Sequence, residues 1–212
     1  TIERLFLVRL QPHVLATSSF NPFQSAYRRM HSTETALLTI LDNIYKSADS
    51  KCATLLVGLD MSAAFDTIDH TLMLRRLRYS FGISGSVLSW IESYLTNRFQ
   101  YIKHGNNSSP PRLIHHGVPQ GSVLGPLFFT MYISPLANVI NSFGIANHQY
   151  ADDTQLFMSL SKLDWINKIR TVENCLTSVY NWLSMNYLAL NASKTEVIML
   201  GTSQQLSTLQ QM

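Results

Sequence analysis

Two adjacent aspartates, Asp152 and Asp153, stand between apolar, β-prone runs in Tyr150-Ala151-Asp152-Asp153. A third, Asp60, closes the run Thr54-Leu55-Leu56-Val57-Gly58-Leu59-Asp60. Side chains alternate faces along a strand, so neighbouring carboxylates reach forward together only from a tight turn. The flanks, residues 145–150 and 154–160, suit two strands, the first weakened by Asn147, His148 and Gln149; they predict a hairpin with Ala151-Asp152-Asp153 at its tip. Clustered carboxylates repel one another, and Mg²⁺ prefers hard oxygen ligands and cancels that repulsion. With Asp60 supplied from a neighbouring strand, two ions about 3.5–4 Å apart would activate an attacking 3′ hydroxyl and stabilise the leaving oxygen of an in-line displacement. That chemistry is phosphoryl transfer on a nucleic acid. An isolated Asp-Asp pair is more often a solvated turn, because Asp favours turns; the rest of the chain decides between the two.

The elements that must position these carboxylates follow from periodicity. Apolar spacing predicts helices over residues 2–14 and 32–47, the second with capping chemistry from Ser32 with Thr35, or from Thr33 with Glu34. Residues 51–60 read as a buried strand. Helices follow over 71–80 and 86–95, separated by the break at Phe81-Gly82-Ile83. Residues 98–104 read as a strand, 106–111 as a polar turn and 111–116 as the returning strand of a hairpin. A helix over 122–141 would carry Pro126 in its first turn and a kink at Pro135. After the acidic hairpin, residues 163–185 form a long amphipathic pattern and 197–200 a closing strand. This order is that of an α+β fold in which helices cover one face of an antiparallel sheet.

A length of 212 residues accommodates one large domain or two small ones, and 46% hydrophobic residues suffice for a core. The net charge of +3 is modest, but three of the thirteen acidic residues belong to the proposed metal cluster. Once metal cancels these, Arg28, Arg29, Arg75, Arg76, Arg78, Arg98, Lys103 and Arg112 remain to meet phosphates. Cys52 and Cys175 give neither zinc spacing nor a disulfide framework, which implies a reducing compartment. The most apolar window, around residues 123–140, is interrupted by prolines, Ser134 and Asn138 and is too short to span a bilayer; no signal peptide is visible, and no membrane association is expected.

Four stretches together resemble the reverse transcriptases of LINE-type, non-LTR retrotransposons. Leu59-Asp60-Met61-Ser62-Ala63-Ala64-Phe65-Asp66-Thr67-Ile68-Asp69-His70 resembles motif A, Gly117-Val118-Pro119-Gln120-Gly121-Ser122-Val123-Leu124-Gly125-Pro126-Leu127 motif B, and the run from Tyr150 to Leu156 motif C. Asn181-Trp182-Leu183 through Leu190-Asn191-Ala192-Ser193-Lys194-Thr195-Glu196 is similar to motif D, and Gln24-Ser25-Ala26-Tyr27-Arg28 with His31-Ser32-Thr33-Glu34-Thr35-Ala36-Leu37-Leu38 to a fingers segment. The motifs follow the family's order over residues 1–205. The resemblance implies a right-hand polymerase palm with partial fingers and no thumb. Residues 1–50 would be fingers, 51–205 palm with a finger-derived insertion around 71–116, and 206–212 a truncated tail.

The resemblance further implies that Asp60 and Asp152 ligate two Mg²⁺ ions, with Mn²⁺ as a substitute, that the Met61 carbonyl adds a ligand, and that Asp153 completes the cluster. Phe65 would lie beneath the sugar of the incoming deoxynucleotide and exclude a 2′ hydroxyl. Gln120 and Gly121 would stand beside the nascent base pair, one through its amide and the other by permitting close backbone approach. Lys194 would protonate the leaving pyrophosphate. Arg28 and Arg98 are the candidates for nucleic-acid contact. The implied activity is RNA-directed DNA synthesis with an RNA template, a DNA primer and deoxynucleoside triphosphates, in nucleus or cytoplasm. Met30 departs from the family, which carries a small residue before the His-Ser-Thr run. Early fingers strands, a primer grip, thumb and endonuclease are expected elsewhere in a full-length element. Two other classes compete: an inactive remnant that at most binds nucleic acid, and a metal-dependent nuclease or phosphatase, which has no need of a sugar-excluding aromatic.

Overall fold

The computed structural model describes residues 2–210, which divide into two compact units, each discontinuous in sequence. The elements in chain order are α1 (Ile2–Ala16), α2 (Thr33–Asp49), β1 (Ala53–Leu59), β2 (Met61–Ser62), α3 (His70–Tyr79), α4 (Gly85–Leu95), β3 (Arg98–Gln100), β4 (Lys103–His104), β5 (Asn107–Ser108), β6 (Arg112–Ile114), α5 (Gly125–Ile133), α6 (Leu136–Asn141), β7 (Ala146–Tyr150), β8 (Asp153–Leu160), α7 (Trp165–Met185), β9 (Ala189–Leu190), β10 (Glu196–Leu200) and α8 (Ser203–Gln210). Among the described residues no helix is long and apolar enough to cross a membrane.

The unit formed by Asn21–Ser62 and residues 133–210 is built on an antiparallel sheet of order β10-β1-β8-β7. Alternation on β1 explains its burial: Ala53, Leu55, Val57 and Leu59 share one face and are buried, as are Leu156 and Leu160 opposite Val57 and Ala53. Helices α2, α6 and α7 pack against these strands. Helix α7 contributes the stripe Val172, Cys175, Val179 and Leu183, at the spacing of one helical face. Helix α2 begins with a capping box in which the Ser32 and Thr35 side chains each accept from or close on the other's backbone, and this resolves the choice of cap. Phe23 to Ser25 add to the outer edge of β7 through a parallel bridge between Gln24 and Gln149.

The other unit comprises residues 2–20 and Ala63–Tyr132. Phe6 of α1 stacks on Trp90 of α4 with ring centroids 4.1 Å apart, His13 Nε2 donates to the Phe81 carbonyl at 2.8 Å, and Glu3 accepts from the Val123 N–H at 2.7 Å. Asp69 caps α3 by accepting from the Leu72 N–H at 2.7 Å. Arg76 donates to the Tyr132 carbonyl and lies over the Tyr132 ring; burial pulls its pKa down to about 10. That side chain is structural and is withdrawn from the set expected to meet phosphates.

Several expectations need correction. The single strand over 98–104 is two short strands, β3 pairing with β6 and β4 with β5 in one interrupted hairpin. The helix over 122–141 is two helices, because Pro135 lacks an N–H and crowds the preceding turn. The compact units divide after residues 20, 62 and 132, and none of these divisions falls at the 50/51 border expected between fingers and palm. The reason is that the segment around Gln24 bonds to β7 and α2 packs on β1, β7 and β8. The tail expected over 206–212 is largely α8, with residues 211 and 212 outside the described chain. Strands β2 and β9, two residues each, carry no legible period.

Candidate active site

Hairpin β7–β8 closes with Tyr150 opposite Asp153, leaving Ala151 and Asp152 as a two-residue loop. Ala151 lies at φ +55°, the positive value that the first loop residue of a type II′ turn requires. A side chain held there strains the backbone by on the order of 1–3 kcal/mol, so something must enforce it. Asp153 starts β8 and does not share the tip with Ala151 and Asp152, where the sequence predicts it. The β1–β8 register pairs Leu59 with Thr154; one further step sets Asp60 across from Asp153, on the same face.

Two-residue strand β2 pairs Met61 with Leu190, and the Asp60 carbonyl accepts from the Asn191 N–H at 2.8 Å. The Asn191 carbonyl in turn accepts from the N–H groups of Lys194 and Thr195, folding residues 191–195 back on Asp60. As a result Lys194 Nζ stands 4.0 Å from Asp60 Oδ2, with the lysine 70% exposed and the aspartate 25%. Asp60, Asp153, Ser193, Lys194 and Glu196 line one cleft of about 380 Å³.

Desolvation, then the charges of Asp152 and Asp60, raise the Asp153 pKa, with Lys194 opposing them. Burial, then Asp152 and Tyr150, raise that of Tyr27. Asp152 is thus felt electrostatically from both sides of the turn. Among the described residues, no three metal-binding side chains are gathered tightly enough to enclose an ion. The donor chemistry nevertheless fits a divalent cation: the oxygens are hard, and their mutual repulsion is what such a cation relieves.

Arg28, expected at nucleic acid, donates from Nη1 to the carbonyls of Pro22 and Gln24 at 2.9 and 2.8 Å, so its guanidinium also ties its own loop. Sequence reasoning missed Gln24 and Tyr27 as site residues. Their only signal was membership of the fingers-like segment, and no local spacing links them to residues 150–153.

The remaining candidates belong to the other unit. Phe65 is half-buried and rests on Phe129, with centroids 4.8 Å apart. Gln120 Nε2 donates to Asp66 Oδ1 at 3.0 Å. Gly121 lies at φ +76° with no protein atom within 4 Å of where a Cβ would be, whereas at Gly117, φ +81°, a Cβ would stand 2.8 Å from the Asp66 carbonyl oxygen. Arg98 lies over the Tyr94 ring and, with Asp66, His115, His116 and Gln120, lines a cleft of about 670 Å³.

Residues 1–210 match the family described as reverse transcriptase (RNA-dependent DNA polymerase). The probable RNA-directed DNA polymerase from transposon BS of Drosophila melanogaster is 29% identical over 199 residues, covering 91% of this chain and 21% of the relative. The RNA-directed DNA polymerase from mobile element jockey of Drosophila funebris is 24% identical over 198 residues, again 91% of this chain and 21% of the relative. The chain therefore spans about a fifth of the length of these relatives. Apo telomerase from Candida tropicalis, truncated from its C-terminal domain, superposes with a TM-score of 0.68 over 93% of this chain and 40% of that one, at 14% identity, a likeness of fold.

Proposed function

The chain belongs to the reverse transcriptase (RNA-dependent DNA polymerase) family, on its LINE-type branch, and we propose that it performs template-directed addition of deoxynucleotides to a primer 3′ end, with RNA as template. The observation that carries this reading is the meeting of Asp60, Asp153 and Lys194 in one cleft at the end of the β1–β8 ladder, beside a turn that presents Asp152. The primer 3′ hydroxyl gives up its proton to solvent as its oxygen bonds to the α-phosphorus of the incoming nucleotide, the bond from that phosphorus to the oxygen bridging the α- and β-phosphates breaks, and pyrophosphate leaves. Asp60, Asp152 and Asp153, with the Met61 carbonyl, would hold two Mg²⁺ ions, or Mn²⁺ in their place. When bound, these ions supply charge for the attacking and leaving oxygens.

Lys194 stands on the acidic cluster with its ammonium mostly in solvent, able to hand a proton to the departing pyrophosphate and regain one from water. Phe65, backed by Phe129, is a rigid wall suited to excluding a ribose 2′ hydroxyl, and Gln120 and Gly121 are assigned to the nascent base pair by their motif. Arg28 and Arg98 are assigned to nucleic acid on the same basis.

Primer extension on an RNA template with Mg²⁺ or Mn²⁺ tests the reading. Asp152→Asn is expected to abolish extension while leaving template binding intact, since phosphate contacts carry that affinity. Equal extension by mutant and wild type overturns the assignment of the carboxylates. A folded wild-type chain that binds template without extending it identifies a silent remnant.

A further inference from the structure

We propose that Gln24 is the positioning residue of the acidic turn: its buried amide locks the Ala151 backbone, so that Asp152 and Asp153 are presented together. This deepens the polymerase reading and rests on it.

Ala151 is the strained residue of the loop, and both of its backbone polar groups are taken by one side chain. Its N–H donates to Gln24 Oε1 at 2.9 Å, and its carbonyl accepts from Gln24 Nε2 at 3.1 Å. Each peptide group is planar, so the first bond fixes the plane entering Ala151 and the second fixes the plane leaving it. The second plane carries the Asp152 N–H and sets the direction from which the Asp152 side chain departs. A primary amide offers a donor and an acceptor side by side without charge; an ionised carboxylate lacks the donor, and a hydrocarbon lacks both.

Gln24 is itself held. It is wholly buried, and its Oε1 also accepts from the Ala26 N–H at 3.0 Å. On either side of it the Ser25 N–H donates to the Gln149 carbonyl at 2.9 Å, and the Phe23 carbonyl accepts from the Gln149 N–H at 3.0 Å. The Asn21 amide donates to Gln149 Oε1 at 2.7 Å, and Ser25 Oγ is hydrogen-bonded to His148 Nε2 at 3.0 Å. The clamp is therefore referred to β7, the strand that carries the turn, and none of its atoms is an acid of the site.

The deciding experiment titrates Mn²⁺ into the purified chain, following loss of the free-ion electron paramagnetic resonance signal, and reads amide hydrogen exchange in parallel. It compares wild type, Gln24→Leu, Gln24→Leu with Ala151→Gly, and Asp152→Asn. Gln24→Leu is expected to accelerate exchange at Ala151 while Leu156 and Phe157 keep their protection, and to weaken Mn²⁺ binding about tenfold or more, the usual effect of removing a partner that orients a ligand. Adding Ala151→Gly should recover part of that affinity, because glycine takes positive φ without a Cβ penalty. A rescue of this kind is foreign to a side chain that merely fills space. If Gln24→Leu unfolds, Gln24→Met, which fills nearly the same space and offers no amide to Ala151, carries the same expectation. Unchanged exchange at Ala151, or unchanged Mn²⁺ affinity with faster exchange, overturns the proposal. Equal Mn²⁺ uptake by wild type and Asp152→Asn defeats the metal reading instead, and the exchange at Ala151 still decides whether Gln24 holds the turn.

Discussion

Burial and the charges of Asp152 and Asp60 hold the Asp153 carboxyl above its ordinary range, and Lys194 offsets only part of this. A raised carboxyl pKa means that the folded chain binds more protons than the unfolded chain between the ordinary and the raised value. Stability from this group is therefore present at low pH and lost as pH rises through that window. In chelator, Asp153→Asn is expected to melt at a higher temperature than wild type at neutral pH, with the difference closing as pH falls through the window. Melting curves across pH check this; a mutant less stable at neutral pH would contradict the electrostatic account. Because Asp153 is exposed, solvent screening keeps the effect small. Gly117 makes the steeper demand. A Cβ there would press on the Asp66 backbone in a conformation glycine alone takes freely, so Gly117→Ala should destabilise by roughly 2–3 kcal/mol. For a chain of this size each kcal/mol lowers the melting temperature by about 2–4 °C.

Among the elements, those with a long period were legible in the sequence. Helix α7 follows from the spacing of Trp165, Ile169, Val172, Leu176, Val179 and Leu183, and β1 from an apolar run that only Thr54 and Gly58 interrupt. Two-residue ladders such as β2–β9 escape because nothing shorter than a turn of helix or a few strand residues has a period to detect. Met30 shows a departure from family pattern acquiring a backbone meaning: it sits at φ +64° and is 89% exposed. A left-handed conformation costs a side chain about 1–2 kcal/mol, while glycine loses about 0.5–1 kcal/mol more entropy on folding. Met30→Gly is therefore expected to stabilise the loop before α2 by up to about 1 kcal/mol, visible as a higher melting temperature; a lower one would mean that the methionine makes compensating contacts.

At the scale of the molecule, neither compact unit is a continuous stretch. Removing residues 1–20 deprives Trp90 of Phe6, the Phe81 carbonyl of His13 and the Val123 N–H of Glu3. The shortened chain is expected to lose the cooperative transition reported by Trp90 fluorescence, with Trp165 and Trp182 replaced so that Trp90 alone is read, and to regain it when the peptide 1–20 is added. A sharp transition without the peptide would show that residues 63–132 suffice. The acidic hairpin, the Asp60 strand and most helices could be read before folding because periodicity and turn chemistry act over a few neighbouring residues. The clamp of Gln24 on Ala151, the approach of Lys194 to Asp60 and the contact of Gly117 with Asp66 join residues 51 to 134 positions apart. The first two depend on which strands become neighbours and in what register, set by burial across the sheet, and the third on how the loops of the other unit fold back on one another.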